Sequence, residues 1–188
     1  MVSLKNMMRL ARMTIDHLLN GRPGSPELWR GLLYGMSVSD VQWRIPSAYV
    51  PTCATKIRLP CVGDAIELLR IDNVISMTHE FTSRLYFHCE RLQQVLLSHE
   101  GSNVLHMEGF GSLSTKLRRA YGPESGHESK SSLALDIDVL SWTQGAVSIT
   151  LVMLQTKGGK QTSALSLNFK GSGMAANLDG RNSSERTS

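Results

Sequence analysis

Residues 133–154 read Leu-Ala-Leu-Asp-Ile-Asp-Val-Leu-Ser-Trp-Thr-Gln-Gly-Ala-Val-Ser-Ile-Thr-Leu-Val-Met-Leu, and the fold turns on this stretch. Leu133, Leu135, Ile137 and Val139 alternate with Asp136 and Asp138, the two-residue period of a strand that puts one face on a core and one in water. After a turn near Gln144-Gly145, Val147, Ile149, Leu151 and Met153 alternate with Ser148 and Thr150. Gly158-Gly159 offers a primed turn, and Leu165, Leu167 and Phe169 then alternate with Ser166 and Asn168. Three such runs on short turns predict an antiparallel meander with one face on the core.

Upstream the signals are mixed. Residues 4–19 fit a helical stripe (Leu4, Met8, Ala11, Ile15, Leu18) and also a strand, since Ala11, Met13 and Ile15 alternate with Arg12, Thr14 and Asp16. Residues 20–24, Asn-Gly-Arg-Pro-Gly, break the chain. Ser25, Pro26 and Glu27 form a helix start, predicting a helix through Leu28, Trp29, Leu32 and Leu33 to about Gly35. Val41, Trp43 and Ile45 predict a half-buried strand over 40–45, with a short extended piece at Ile57 and Leu59. Asp64 and Glu67 have capping-box spacing, predicting a helix over 65–72. Phe81, Leu85, Leu92, Val95 and Leu96 predict a second helix over 81–97. Residues 101–132, rich in Gly, Ser and charge around Gly122-Pro123, read as a long loop. The fold class expected is therefore α+β. It is one domain over residues 1–170, a C-terminal antiparallel β-meander packed against helices, with a disordered tail at 171–188.

The composition restricts function. At 188 residues, with 41% hydrophobic and 19% charged, the chain can bury one sizeable core. No apolar run reaches the ~18–20 residues that span a bilayer, and basic residues interrupt the apolar ones at the N-terminus, unlike a secretory signal. Three cysteines, Cys53, Cys61 and Cys89, suit buried free thiols in a reducing compartment better than a disulfide framework. Net charge is +4, unevenly spread: residues 1–60 carry +5, 61–115 carry −4 and 116–188 carry +3. Basic ends around an acidic middle suit contact with anionic surfaces or between copies of the chain.

No nucleophile elbow, P-loop or dinucleotide fingerprint is present, and Gly109-Phe110-Gly111 lacks the strand and helix of a phosphate cradle. His79, His88, Cys53, Cys61 and Cys89 lack the paired spacing of a zinc site. Catalytic residues, metal ligands and cofactors are therefore all assigned as none. The candidate contacts for an anionic membrane or RNA are two basic clusters: Lys5, Arg9 and Arg12, and Lys116, Arg118 and Arg119 beside Tyr121.

Asn20-Gly21-Arg22-Pro23, the Leu28, Trp29, Leu32, Leu33 segment and Gly145-Ala146-Val147-Ser148-Ile149-Thr150-Leu151 resemble rhabdovirus matrix proteins, in particular the short type of plant-infecting members. The resemblance covers residues 7–36 and 140–156, about a quarter of the chain. It implies a compact α+β domain without enzymatic activity, a viral structural protein that self-associates and links nucleocapsid to membrane. The implied partners are the chain itself, the viral nucleocapsid and an anionic membrane surface, with RNA as a further candidate. The implied location is the virion and the host cytoplasm or nucleus, peripheral to membrane and not secreted. It also favours the strand reading of residues 8–16. The Pro-Pro-x-Tyr budding motif of animal members is absent, and Pro46-Ser47-Ala48-Tyr49 is not one. The rival reading is a nucleic-acid-binding viral regulator such as a suppressor of RNA silencing, which requires a compact basic face.

Overall fold

The computed structural model describes residues 27–60, 62–76, 79–101, 103–157 and 163–171. The ambiguous segment 4–19, the Gly158-Gly159 turn and the tail from residue 172 lie outside them. The first described element is a hairpin of β1 (Glu27–Trp29) and β2 (Leu32–Leu33), turned by Arg30-Gly31. Both turn residues have left-handed φ, 48° and 73°, and Gly35 has φ 82°, which a right-handed helix over this stretch forbids. The helix expected from Ser25 to Gly35 is thus a hairpin. Its apolar residues are served either way, since Leu28, Trp29 and Leu32 are all buried.

Ser37 caps α1 (Val38–Arg44): its hydroxyl accepts from Asp40 N–H at 3.2 Å, and the Asp40 carboxylate accepts from Ser37 N–H at 3.3 Å. This replaces the strand expected at 40–45. Val41 and Ile45, four apart, share the buried face of the turn, whereas Trp43, which a strand would put beside them, is 81% exposed.

Eight strands then form one curled antiparallel sheet. They are β3 (Lys56–Leu59), β4 (Gly63–Ser76), β5 (His79–His88), β6 (Arg91–Gly101), β7 (Gly126–Ser131), β8 (Leu135–Gln144), β9 (Val147–Thr156) and β10 (Ser163–Gly171). The second helix, α2 (Asn103–Tyr121), separates β6 from β7. The order β3-β4-β5-β6-β10-β9-β8-β7 makes two four-stranded meanders that meet where β6 pairs with β10. The domain is β-rich with two helices among the described residues, so the α+β class is corrected.

The helices expected at 65–72 and 81–97 are strands, because a spacing of four residues is even as well as helical. Phe81 and Leu85 satisfy both periods, but Phe81, Ser83, Leu85 and Phe87 are all buried, which only the strand period explains. Cys89-Glu90 turn β5 into β6 with φ of 46° and 60°, a tight turn that neither residue advertises in sequence. Asp64 and Glu67 are no capping box; both lie in β4. The long loop expected at 101–132 is α2 and β7. Its glycines and serines depress helix propensity, and the helix is held by burying Leu113 and Leu117 against β8, β9 and β10.

The meander of β8, β9 and β10 and the extended piece at β3 agree with the sequence reading. In β9 and β10 the buried residues are those named, Val147 to Met153 and Leu165 to Phe169. In β8 the faces are reversed: Leu140 and Trp142 are buried, opposite Leu151 and Ile149, while Leu135, Ile137 and Val139 lie half-buried on the outer face. Asp136 and Asp138 share the inner face beyond the rim of the core, and Asp136 pairs with Lys157 at 2.7 Å. The core lies in the hollow of the sheet, closed by the β1–β2 hairpin, α1 and α2.

Gly171 ends β10 beneath the ring of Tyr34, and a Cβ there would fall 1.8 Å from a ring carbon. Gly171→Ala is expected to destabilise the domain by roughly 1–3 kcal/mol, the usual cost of overpacking, read as a lower urea midpoint. Replacing Cys89-Glu90 by Asn-Gly puts residues that adopt left-handed conformations readily at both positions and is expected to raise stability by about 1–2 kcal/mol in the same titration; an unchanged midpoint refutes the strain.

Candidate functional site

The buried stripe of α2 is Gly109, Leu113 and Leu117, with Phe110 and Tyr121 packed against the core. Burial pushes the Tyr121 phenol up to about 12, with the charge of Glu27 adding to it. The basic residues lie at the other end of the same amphipathic logic. At ~100° per residue, Lys116 and Arg118 point to opposite sides of the helix. Lys116 is half-buried, while Arg118 and Arg119 are exposed. Arg118 grips Glu124 through two parallel bonds, Nε to Oε2 and Nη2 to Oε1, both 2.8 Å. This fork, followed by a backbone bond, holds the Glu124 carboxyl down at about 2. Of the C-terminal cluster, Arg119 is therefore the cation offered outward. Lys5, Arg9 and Arg12 lie outside the described residues.

A second surface gathers around residues 43–50. Ile45 and Ala48 are buried anchors; Trp43 before them and Tyr49 and Val50 after them stand exposed, Val50 at 67%. Arg44 donates to the Gly31 carbonyl, tying α1 to the first hairpin. Tyr49 and Arg70 exchange backbone bonds of 3.0 and 2.8 Å, so this segment runs beside β4, and the Tyr49 hydroxyl bonds Asp72. That bond heads the causes that raise the Tyr49 phenol.

Beneath it lies an ion pair on β4. Glu67, fully buried, accepts from Arg70 Nε at 2.6 Å, Thr55 Oγ1 at 2.6 Å and Thr55 N–H at 3.1 Å. Burial alone would raise its carboxyl, and the bonds from Arg70 and Thr55 outweigh it and leave the carboxyl lowered. The Tyr86 hydroxyl lies 2.9 Å from Thr55 Oγ1, and Arg70 Nη2 donates to the Cys53 carbonyl at 3.3 Å. Every partner belongs to the chain, so this network fastens the segment 49–55 onto the sheet.

The third surface is the sheet's rim. β3 is one edge and β7 the other, and β7 is exposed along all of its residues. Sequence reasoning missed it because Gly126-His127-Glu128-Ser129-Lys130-Ser131 is polar on both faces, which is how an edge strand with no core beneath it reads. Trp43 was missed because its strand reading placed it inward.

Cys53 and Cys89 are exposed free thiols rather than the buried ones expected, since one precedes the Thr55 anchor on a surface segment and the other sits in a turn; Cys61 lies outside the described residues. Among the described residues no group of three His, Cys, Asp or Glu side chains could hold a metal ion, and no helix is long and apolar enough to cross a membrane. Gly109-Phe110-Gly111 lies inside α2. Comparison with protein-family models, curated proteins and solved structures found no match. Fold and surfaces together define a β-rich domain with open sheet edges and exposed aromatic and basic side chains.

Glu124 supplies a pH test. Its folded pKa lies below the ordinary 4.5, so the pair's contribution to stability is present above that value and is lost as pH falls toward about 2. Denaturant titrations across this window should show a shallower acid loss in Glu124→Gln than in the parent chain; parallel curves would mean the pair adds nothing.

Proposed function

We propose that the chain is a non-catalytic, matrix-type assembly protein that associates with copies of itself and bridges a ribonucleoprotein and an anionic membrane. The observation that carries this reading is β7, an edge strand exposed along its whole length. Edge strands present unpaired N–H and C=O groups, and chains that must stay monomeric usually cover, bulge or shorten them. The membrane contact is supported by Trp43, Tyr49 and Val50, since aromatic side chains settle at the membrane interface, and by Arg119 as an exposed cation. Attachment of this kind is peripheral, reversible and sensitive to salt.

One feature supports the rival, a nucleic-acid-binding regulator. The outer face of the sheet carries Arg84 and Lys170 near Asn168, Thr150 and Ser148, linked by cross-strand register. Arg84 faces Arg70, whose charge is taken up by Glu67.

Sedimentation velocity from micromolar to near-millimolar protein in low salt is expected to show mass rising with concentration; a strict monomer throughout overturns the assembly reading. Flotation with phosphatidylserine vesicles is expected to be lost at 1 M salt and reduced by Trp43→Ala and by Arg119→Glu. If neither variant changes flotation, the membrane contact is wrong, and retained shift of duplex RNA by the parent chain would put the rival first.

A further inference from the structure

Charge and hydrogen-bonding parity along β7 select one partner and one register. β7 pairs with β8 with Gly126 opposite Ser141 and Ser131 opposite Asp136. At the end of that ladder Ser132 N–H donates to the Leu135 carbonyl at 2.9 Å in the same register. Antiparallel ladders alternate, so the N–H and C=O groups of Gly126, Glu128 and Lys130 turn toward β8, and those of His127, Ser129 and Ser131 face the open edge. Glu128 and Lys130 project together on the outer face, 67% and 73% exposed, and bridge each other at 3.1 Å.

We propose that β7 pairs antiparallel with β7 of a second copy about a two-fold axis at Ser129, an inference that rests on the assembly reading above. In this register Ser129 exchanges bonds with Ser129 of the second copy, and His127 with Ser131, which uses all three outward-facing residues of each strand. Glu128 then stands opposite Lys130 of the second copy, twice, at the closely spaced non-hydrogen-bonded positions where cross-strand charges act most strongly. Neighbouring symmetric registers fail on charge. An axis at Glu128 sets Glu128 against Glu128, and an axis at Lys130 sets Lys130 against Lys130.

The other edge lacks this self-complementarity. Symmetric pairing of β3 about Ile57 opposes Lys56 to Arg58, and axes at Lys56 or Arg58 oppose each to itself. The two-fold contact is therefore specific to β7 and joins two eight-stranded sheets into one continuous sheet. Its two charge pairs are exposed, so the contact is weak at high salt.

Charge exchange and cross-linking test the register in the full-length chain. Lys130→Glu sets like charges opposite at two places and is expected to weaken dimerisation roughly tenfold in low salt. The double variant Glu128→Lys with Lys130→Glu restores opposite charges in this register and should recover parent affinity. Ser129→Cys, mildly oxidised and digested, should yield the peptide linked through residue 129 of both copies, identified by mass spectrometry against the parent chain's own cysteines. A strictly monomeric parent chain overturns the assembly reading and this inference with it. A parent chain that associates, with no 129–129 link and no rescue by the double variant, overturns the register alone and leaves assembly through another surface.

Discussion

The pairing of β6 with β10 is the constraint on which the rest of the molecule depends. Eight residue pairs, from Gln94 opposite Lys170 to Gly101 opposite Ser163, are the seam between the two meanders. On the core side of this seam Val95 faces Phe169 and Leu97 faces Leu167, all buried. Every other pairing in the sheet is a hairpin between strands adjacent in sequence, so among the described residues the seam is the sheet's one long-range closure. Its entropic cost grows only slowly with loop length, and the apolar area it buries on the inner face offsets it. Each meander alone would leave that face wet.

Closing the seam creates the hollow that the helices must fill. α2 is the connection between the meanders and lies across β8, β9 and β10, while the β1–β2 hairpin rests against β6 and β10. A segment carrying two glycines and two serines thus becomes the longest helix among the described residues, because Leu113 and Leu117 gain a surface to bury against. Among the described residues, the same arrangement pairs nothing with the outer edges of the sheet. A curled sheet that does not close into a barrel keeps two edges, here β3 and β7, and the hollow's filling reaches neither. These two edges, set by the topology before any side chain is considered, are what the proposed assembly rests on.

The surfaces are held by local polar chemistry rather than by the core. Glu67 is a buried carboxylate satisfied by Arg70 and Thr55, and without those donors its burial would be costly. It clamps the segment that leads from the exposed Trp43 and Tyr49 back to the sheet. Arg118 and Glu124 pin the end of α2 at the entry to β7 in a similar way. Both pairs hold a surface segment in place, and each takes up the charge of an arginine.

The sequence by itself determined three strands of the second meander, β8, β9 and β10, and holds no recognised catalytic motif. Alternation in β9 and β10 is legible because Ser148, Thr150, Ser166 and Asn168 interrupt the apolar residues at every second position. It also marked the basic cluster on α2, though not that Glu124 would engage Arg118, six residues earlier. Where spacing was four, at Phe81 and Leu85, helix and strand were indistinguishable, and the hairpin partner decided. In β8 the aspartates set the wrong face, since their position beyond the rim of the core is known only once the sheet curls. Trp43 and β7, the residues on which function is argued, were illegible for the same reason. A side chain's exposure depends on what packs over it, and that is a property of the closed sheet, not of the local chain.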